Sequence, residues 1–160
     1  GHFIRQLKLE DLYEKVKDFW PKETEGFDED YKKKVLAIVQ ERLKYFAELP
    51  DLTKFFFVDL PVDEQLVKSN KQLAKLGKEE LKKLLEQAKE TLEQSDFSVD
   101  DLTQRLNSLL EKTGQKPVVL FSLIRIATTQ APASPQLADT LAVLGREKTL
   151  SRIEMQLQAL

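Results

Sequence analysis

Pro117-Val-Val-Leu-Phe-Ser-Leu-Ile-Arg-Ile-Ala-Thr-Thr-Gln-Ala-Pro-Ala-Ser-Pro135 is the stretch that decides how the rest of the chain is read. Its first residue is a proline suited to the first turn of a helix, and the residues after it are apolar on almost every side. A short helix with no polar face is normally buried in its own domain. One cation, Arg125, stands in the middle of it. A guanidinium cannot shed its proton, so a buried one needs an anion, a set of acceptors or an opening to solvent. The small residues from Thr128 to Ser134 then predict a loop, and Ser134-Pro135 reads as an N-cap and first position of the next helix. The expectation is a packed helix whose one cation emerges at a cleft mouth, beside an open polar loop.

Outward from this stretch the periodicity is helical throughout. Toward the N-terminus, Ser98 with Asp101 three residues on predicts a capped helix, with Val99, Leu102, Leu106, Leu109 and Leu110 facing the core and Gly114 closing it. Lys78 to Gln94 is amphipathic through Leu81, Leu84, Leu85, Ala88 and Leu92, and Asn70 to Leu76 reads as a short helix stopped by Gly77. Toward the C-terminus, Pro135 to Leu144 forms a helix ended by Gly145. A last helix from about Arg146 repeats Leu150, Ile153, Leu157 and Leu160.

The first third follows the same pattern. Leu9 to Trp20 reads as a helix ended by Pro21, and about Asp28 to Ala47 as a longer one. On that second wheel Arg42 falls between Ile38, Val35 and Tyr31, as an arginine snorkelling at the edge of a core would. Pro50 opens a short helix that ends in Phe55-Phe56-Phe57. Adjacent phenylalanines can stack on bases, but more often they plug the seam between helical layers. Val58 to Asp63, with Pro61, is the joint between two helical subdomains. No strand is predicted, and the fold class is all-α.

Composition removes most catalytic chemistry. The chain has no cysteine, so disulfides, thiolate nucleophiles and cysteine-ligated zinc are excluded. Its single histidine is His2, and Gly1-His2 reads as the remnant of a cleaved expression tag. No phosphate loop, dinucleotide fingerprint, zinc motif or nucleophile elbow is present. Carboxylate pairs such as Glu79-Glu80 and Asp100-Asp101 stand at helix N-termini, where they favour the macrodipole. No apolar run approaches the roughly 20 residues of a membrane span and no signal peptide is visible, which predicts a cytoplasmic protein. A net charge of −2 argues against coating nucleic acid by charge alone. The distribution is uneven, however: Lys112 to Ala138 has no acidic residue and carries Lys112, Lys116 and Arg125. Residue types alone leave two readings open, a helical domain that binds an anion and an interaction or structural domain whose basic patch is incidental.

The C-terminal third carries a more specific pattern. Leu123-Ile-Arg-Ile-Ala-Thr-Thr, Ser134-Pro-Gln-Leu, Leu141-Ala-Val-Leu-Gly-Arg-Glu and Leu150-Ser-Arg-Ile, in that order, resemble the end of bacterial-type glutamyl-tRNA synthetases. Upstream, Glu41-Arg-Leu-Lys-Tyr-Phe-Ala-Glu-Leu-Pro50 and Phe55-Phe-Phe-Val look like the same family's earlier segments, so the resemblance spans nearly the whole chain. One departure stands out: where the family has a glycine after its leucine-threonine pair, this chain has Gln130.

The resemblance implies an α-helix cage of two anticodon-binding subdomains, residues 1–60 and 61–160. It implies a piece cut from a longer enzyme that attaches glutamate to its tRNA using ATP. The family's H-I-G-H-like and K-M-S-K-S-like motifs are absent, so neither a catalytic residue nor a cofactor is expected in this chain. The implied partner is the anticodon stem-loop of glutamate tRNA, bound by a monomer. Arg42 aligns with the family arginine that reads the last anticodon base, and Arg125 and Ser134 with contacts to the middle or first base. Thr128, Thr129 and Lys116 complete the candidate RNA contacts. Glutamate anticodons end in C and glutamine anticodons in G. Cytosine offers acceptors to a guanidinium, whereas the Watson–Crick edge of guanine offers opposing donors.

Overall fold

The computed structural model describes the backbone of residues 2–160 and the side chains of residues 3–160; the tag reading of Gly1-His2 lies outside the described side chains. The chain divides into two compact units, Gly1–Asp59 and Leu60–Leu160. Among the described residues there is no strand, and the fold is all-α.

The first unit is built from short helices: α1 His2–Gln6, α2 Leu9–Lys15, α3 Glu29–Val39 and α4 Leu49–Phe57. Leu12, Val16, Val35, Leu36, Leu49 and Phe56 are fully buried at its centre. All three phenylalanines of the Phe55–Phe57 run are buried. The Phe57 ring meets Trp20, Phe27 and Tyr31 edge-on at 5.6, 5.0 and 5.5 Å. The Tyr31 hydroxyl donates to the Phe56 carbonyl at 2.6 Å. Edge-to-face rings add about 0.5–1.5 kcal/mol per pair beyond the area they bury.

Two expected helices are shorter than periodicity suggests. Instead of running to Trp20, α2 stops at Lys15, and Lys17–Phe19 forms a 3₁₀ turn. Trp20 precedes Pro21 and must leave the helical region; it sits at φ −69°, ψ 128°. Instead of reaching Ala47, α3 ends at Val39; a 3₁₀ turn follows at Gln40–Arg42 and Leu43 is extended. Two distant bonds impose that break. The Gln40 amide donates to the Ile4 and Leu7 carbonyls at 2.9 and 2.8 Å. Glu48 Oε1 accepts the backbone N–H groups of Lys44 and Tyr45 at 2.7 and 3.2 Å and so starts a fresh 3₁₀ turn at Phe46–Glu48. Arg42 therefore does not lie on the wheel with Ile38, Val35 and Tyr31.

The second unit holds α5 Glu64–Lys68, α6 Lys78–Glu93, α7 Val99–Thr113, α8 Pro117–Thr129 and α9 Leu137–Ala159. All five expected core positions of α6 are buried. Gly114 closes α7 at φ +71°, and Gly145 (φ +86°) breaks α9 into the two helices expected. On α7, Val99 is exposed rather than buried. Its cap is also redistributed. Ser98 Oγ accepts the Asp101 N–H at 3.2 Å, but Asp96, not Asp101, returns the bond by accepting the Ser98 N–H at 2.9 Å. The Asp101 carboxylate turns to Ser95 and Arg105. The expected Asn70 to Leu76 helix is a 3₁₀ turn at Leu73–Lys75, because Asn70 Oδ1 takes the N–H groups of Gln72 and Leu73 at 3.0 Å each. At the centre of the unit α8 packs against α5, α6 and α9, burying Leu120, Leu123, Ile124 and Ile126. Each such side chain contributes about 1.5–3 kcal/mol of hydrophobic stabilisation.

Candidate nucleic-acid interface

Arg125 is half-buried on α8, and its Nε donates to Ser134 Oγ at 2.9 Å. The Ser134 hydroxyl in turn donates to the Pro135 carbonyl at 2.7 Å. The serine thus works as a relay, accepting from the arginine and donating to the carbonyl, and it fixes the azimuth of the guanidinium. Phe121 lies one helical turn before Arg125 on the same face. The two line a cavity of about 250 Å³ together with Thr103, Leu106 and Asn107 of α7 and Gln136, Leu137 and Ala138 at the start of α9. Ligand pockets run from about 300 Å³, so this one lies at the small end of that range. Its wall offers a planar cation, an aromatic ring and two side-chain amides that can both donate and accept.

Several candidate residues are placed differently from the expectation. Thr128 and Thr129 do not stand in an open loop, because α8 continues through both. They are 0% and 1% exposed, and their hydroxyls donate back to the Ile124 and Arg125 carbonyls at 2.8 and 2.7 Å. That is how a threonine in a last helical turn satisfies itself, and it leaves neither hydroxyl for a base. Nor is Ser134 the N-cap of the next helix. That position is Gln136, and buried Pro135 uses its carbonyl to accept from Ser134 and, at 3.2 Å, from Thr140. Lys116 is exposed at the N-cap position of α8, and it is not part of the cavity wall.

Sequence reasoning missed the support beneath this loop. Gln130 closes α8 in the left-handed region at φ 51°, ψ 41°. Its amide bridges two elements, accepting the Asp63 N–H and donating to Gln156 Oε1, both at 2.9 Å. One turn away on α9, buried Arg152 donates from Nη1 to the Thr128 carbonyl at 2.8 Å, a C-terminal acceptor of α8. The available signal was the i, i+4 spacing of Arg152 and Gln156, which puts both on one face of the last helix.

Arg42, in the first unit, is half-buried at the end of the Gln40–Arg42 turn. Among the described residues it forms no ion pair.

Residues 11–157 match the anticodon binding domain family. The chain belongs to that family. As an anticodon-binding domain it is 34% identical to the glutamate–tRNA ligase of Chloroflexus aurantiacus, a match covering all of this chain and 33% of that protein. It is 32% identical to the glutamate–tRNA ligase of Roseiflexus sp., again over all of this chain and 32% of the relative. The chain thus spans about a third of the length of the relatives it matches. The crystal structure of a glutamate tRNA ligase from Elizabethkingia meningosepticum shares the fold at a TM-score of 0.79 and 18% identity, covering 99% of this chain and 31% of that one. No helix among the described residues is long and apolar enough to cross a membrane.

Proposed function

We propose that this anticodon-binding domain is the part of a glutamate–tRNA ligase that reads the anticodon of glutamate tRNA in the cytoplasm. The observation that carries the reading is the cavity whose wall combines Arg125, held by Ser134, with Phe121 and the amides of Asn107 and Gln136. Unpaired RNA bases are read on their exposed edges and held by their faces, and these side chains supply both kinds of contact. Arg42 supplies a second guanidinium, on the other unit, for the last anticodon base. Cytosine there presents acceptors to it. Guanine presents donors, and a donor left facing a donor in a dry site costs about 1–3 kcal/mol. Glutamate activation with ATP belongs to the whole ligase and draws on none of these residues.

The deciding experiment is a titration of the 160-residue chain with glutamate tRNA at two salt concentrations. A specific domain binds in the micromolar range or tighter, and its affinity falls as salt rises because phosphate contacts release counterions. Binding that is absent, or equal for any tRNA, would sink the reading in favour of an interaction or structural domain.

A further inference from the structure

The segment just after the turn that carries Arg42 holds a second feature that base-edge reading leaves unused. Tyr45, three residues on, is 61% exposed. Neighbouring rings pack on one another, as Phe19 does on Phe46 at 5.6 Å and Phe27 on Tyr31 at 5.2 Å, and among the described residues Tyr45 takes no part in that packing. A single exposed aromatic is ordinary. The way the backbone beneath this one is fastened is not. The Glu48 carboxylate accepts the N–H groups of Lys44 and Tyr45, and the Tyr45 carbonyl accepts the Glu48 N–H at 3.1 Å. Two residues earlier Leu43 is 1% exposed and anchors the segment in the core. The ring is therefore presented from a fixed, extended residue (φ −150°, ψ 157°) and has only two side-chain torsions to lose on contact.

A half-buried guanidinium without a carboxylate and a presented aromatic face thus lie within four residues. An unpaired nucleotide offers the complement of both: acceptors on its edge and a π-face. We propose that Tyr45 is the stacking platform for the unpaired base whose edge Arg42 reads, an inference that rests on the RNA-binding function proposed above. The two residues divide the work. Stacking is tolerant of base identity, so Tyr45 contributes affinity for any base in that position, while Arg42 contributes the choice between C and G.

The test uses the 160-residue chain and two synthetic anticodon stem-loops that differ only in a terminal C or G of the anticodon, at fixed salt. Tyr45→Ala should weaken both about tenfold, leaving their affinity ratio and the salt dependence unchanged. Tyr45→Phe should restore binding. Tyr45→Leu, which keeps bulk without a π-face, should behave like Tyr45→Ala. With 2-aminopurine in the last anticodon position, fluorescence should be quenched on binding by the unaltered chain and by Tyr45→Phe, and stay bright with Tyr45→Ala. Matching thermal melts for the variants confirm that the fold is intact. If the Tyr45→Ala chain binds as well as the unaltered one, keeps the quench, or shows a loss that phenylalanine does not restore, Tyr45 is not the platform, while the RNA-binding function stands. If the unaltered chain binds neither stem-loop, that function falls and this inference falls with it.

Discussion

The two units bury their cores by different means. The first uses helices of at most 11 residues, stitched by 3₁₀ turns and closed by rings meeting on Phe57. The second uses helices of 16, 15 and 13 residues with leucine-rich faces. Their arginines follow suit. Arg125 is held by a serine hydroxyl on a neighbouring segment, whereas Arg42 stands on a turn fixed by the Gln40 amide, which bonds carbonyls 36 and 33 residues away. Where an apolar stripe runs for four turns, local pattern determines structure. In short pieces, a few non-local hydrogen bonds determine it.

The sharpest way to break this comparison is to remove one core side chain from each unit. Phe56→Ala should cost about 3–5 kcal/mol and Leu123→Ala about 2–5 kcal/mol. Hydrogen exchange read helix by helix should show Phe56→Ala deprotecting α3 and α4 with α6 to α8 spared, and Leu123→Ala the reverse. Loss of protection spread evenly over both units in either variant would mean that they unfold as one body.

A smaller effect distinguishes the two arginines. Arg42→Gln should narrow the preference for a C-ending over a G-ending stem-loop by roughly tenfold to a hundredfold, because glutamine can both donate and accept. Arg42→Lys, lacking the planar fork, should weaken both complexes. Arg125→Ala should lower affinity for both while leaving that ratio and the melting temperature in place. An unchanged ratio in Arg42→Gln would put base discrimination elsewhere. A sharp fall in melting with affinity preserved would make Arg125 a structural ion.

The smallest effect is in acid. A hydrogen bond from Ser95 and then the Arg105 guanidinium hold the Asp101 carboxyl below the usual carboxylate range. A depressed folded-state value stabilises the fold above the unfolded pKa of about 3.9, and the contribution is lost as pH falls from there through the lower folded-state value. Melts of the unaltered chain and of Asp101→Asn should therefore differ slightly near neutrality and converge below about pH 4. A gap that persists or widens in acid would contradict the bonding described at the start of α7.

The long helices were legible because their signals are local. The five apolar positions of α6, the glycine closing α7 and the glycine breaking α9 all act within a turn or two of themselves. The end of α3 was not, since Gln40 bonds carbonyls 33 and 36 residues away. At the candidate site, Arg125 and Ser134 could be named from sequence, and the structure joins them. Thr128 and Thr129 looked like loop residues because small polar residues precede a proline, yet their hydroxyls complete the helix instead. Arg152 was overlooked for the opposite reason: a charged residue on a terminal helix reads as solvent-facing until its acceptor, a carbonyl 24 residues away, is known.

Trp20, packed edge-on against Phe57 and beneath the Lys32 ammonium at 5.8 Å, is the sole tryptophan of the sequence. The indole emission of the whole chain is consequently a signal from the first unit alone, with no label attached. Helical circular dichroism, weighted by length, comes mainly from α6 to α9. The protein thus carries one spectroscopic channel confined to the ring-closed unit and a second weighted toward the leucine-closed one, so one cuvette can show whether the two lose structure together.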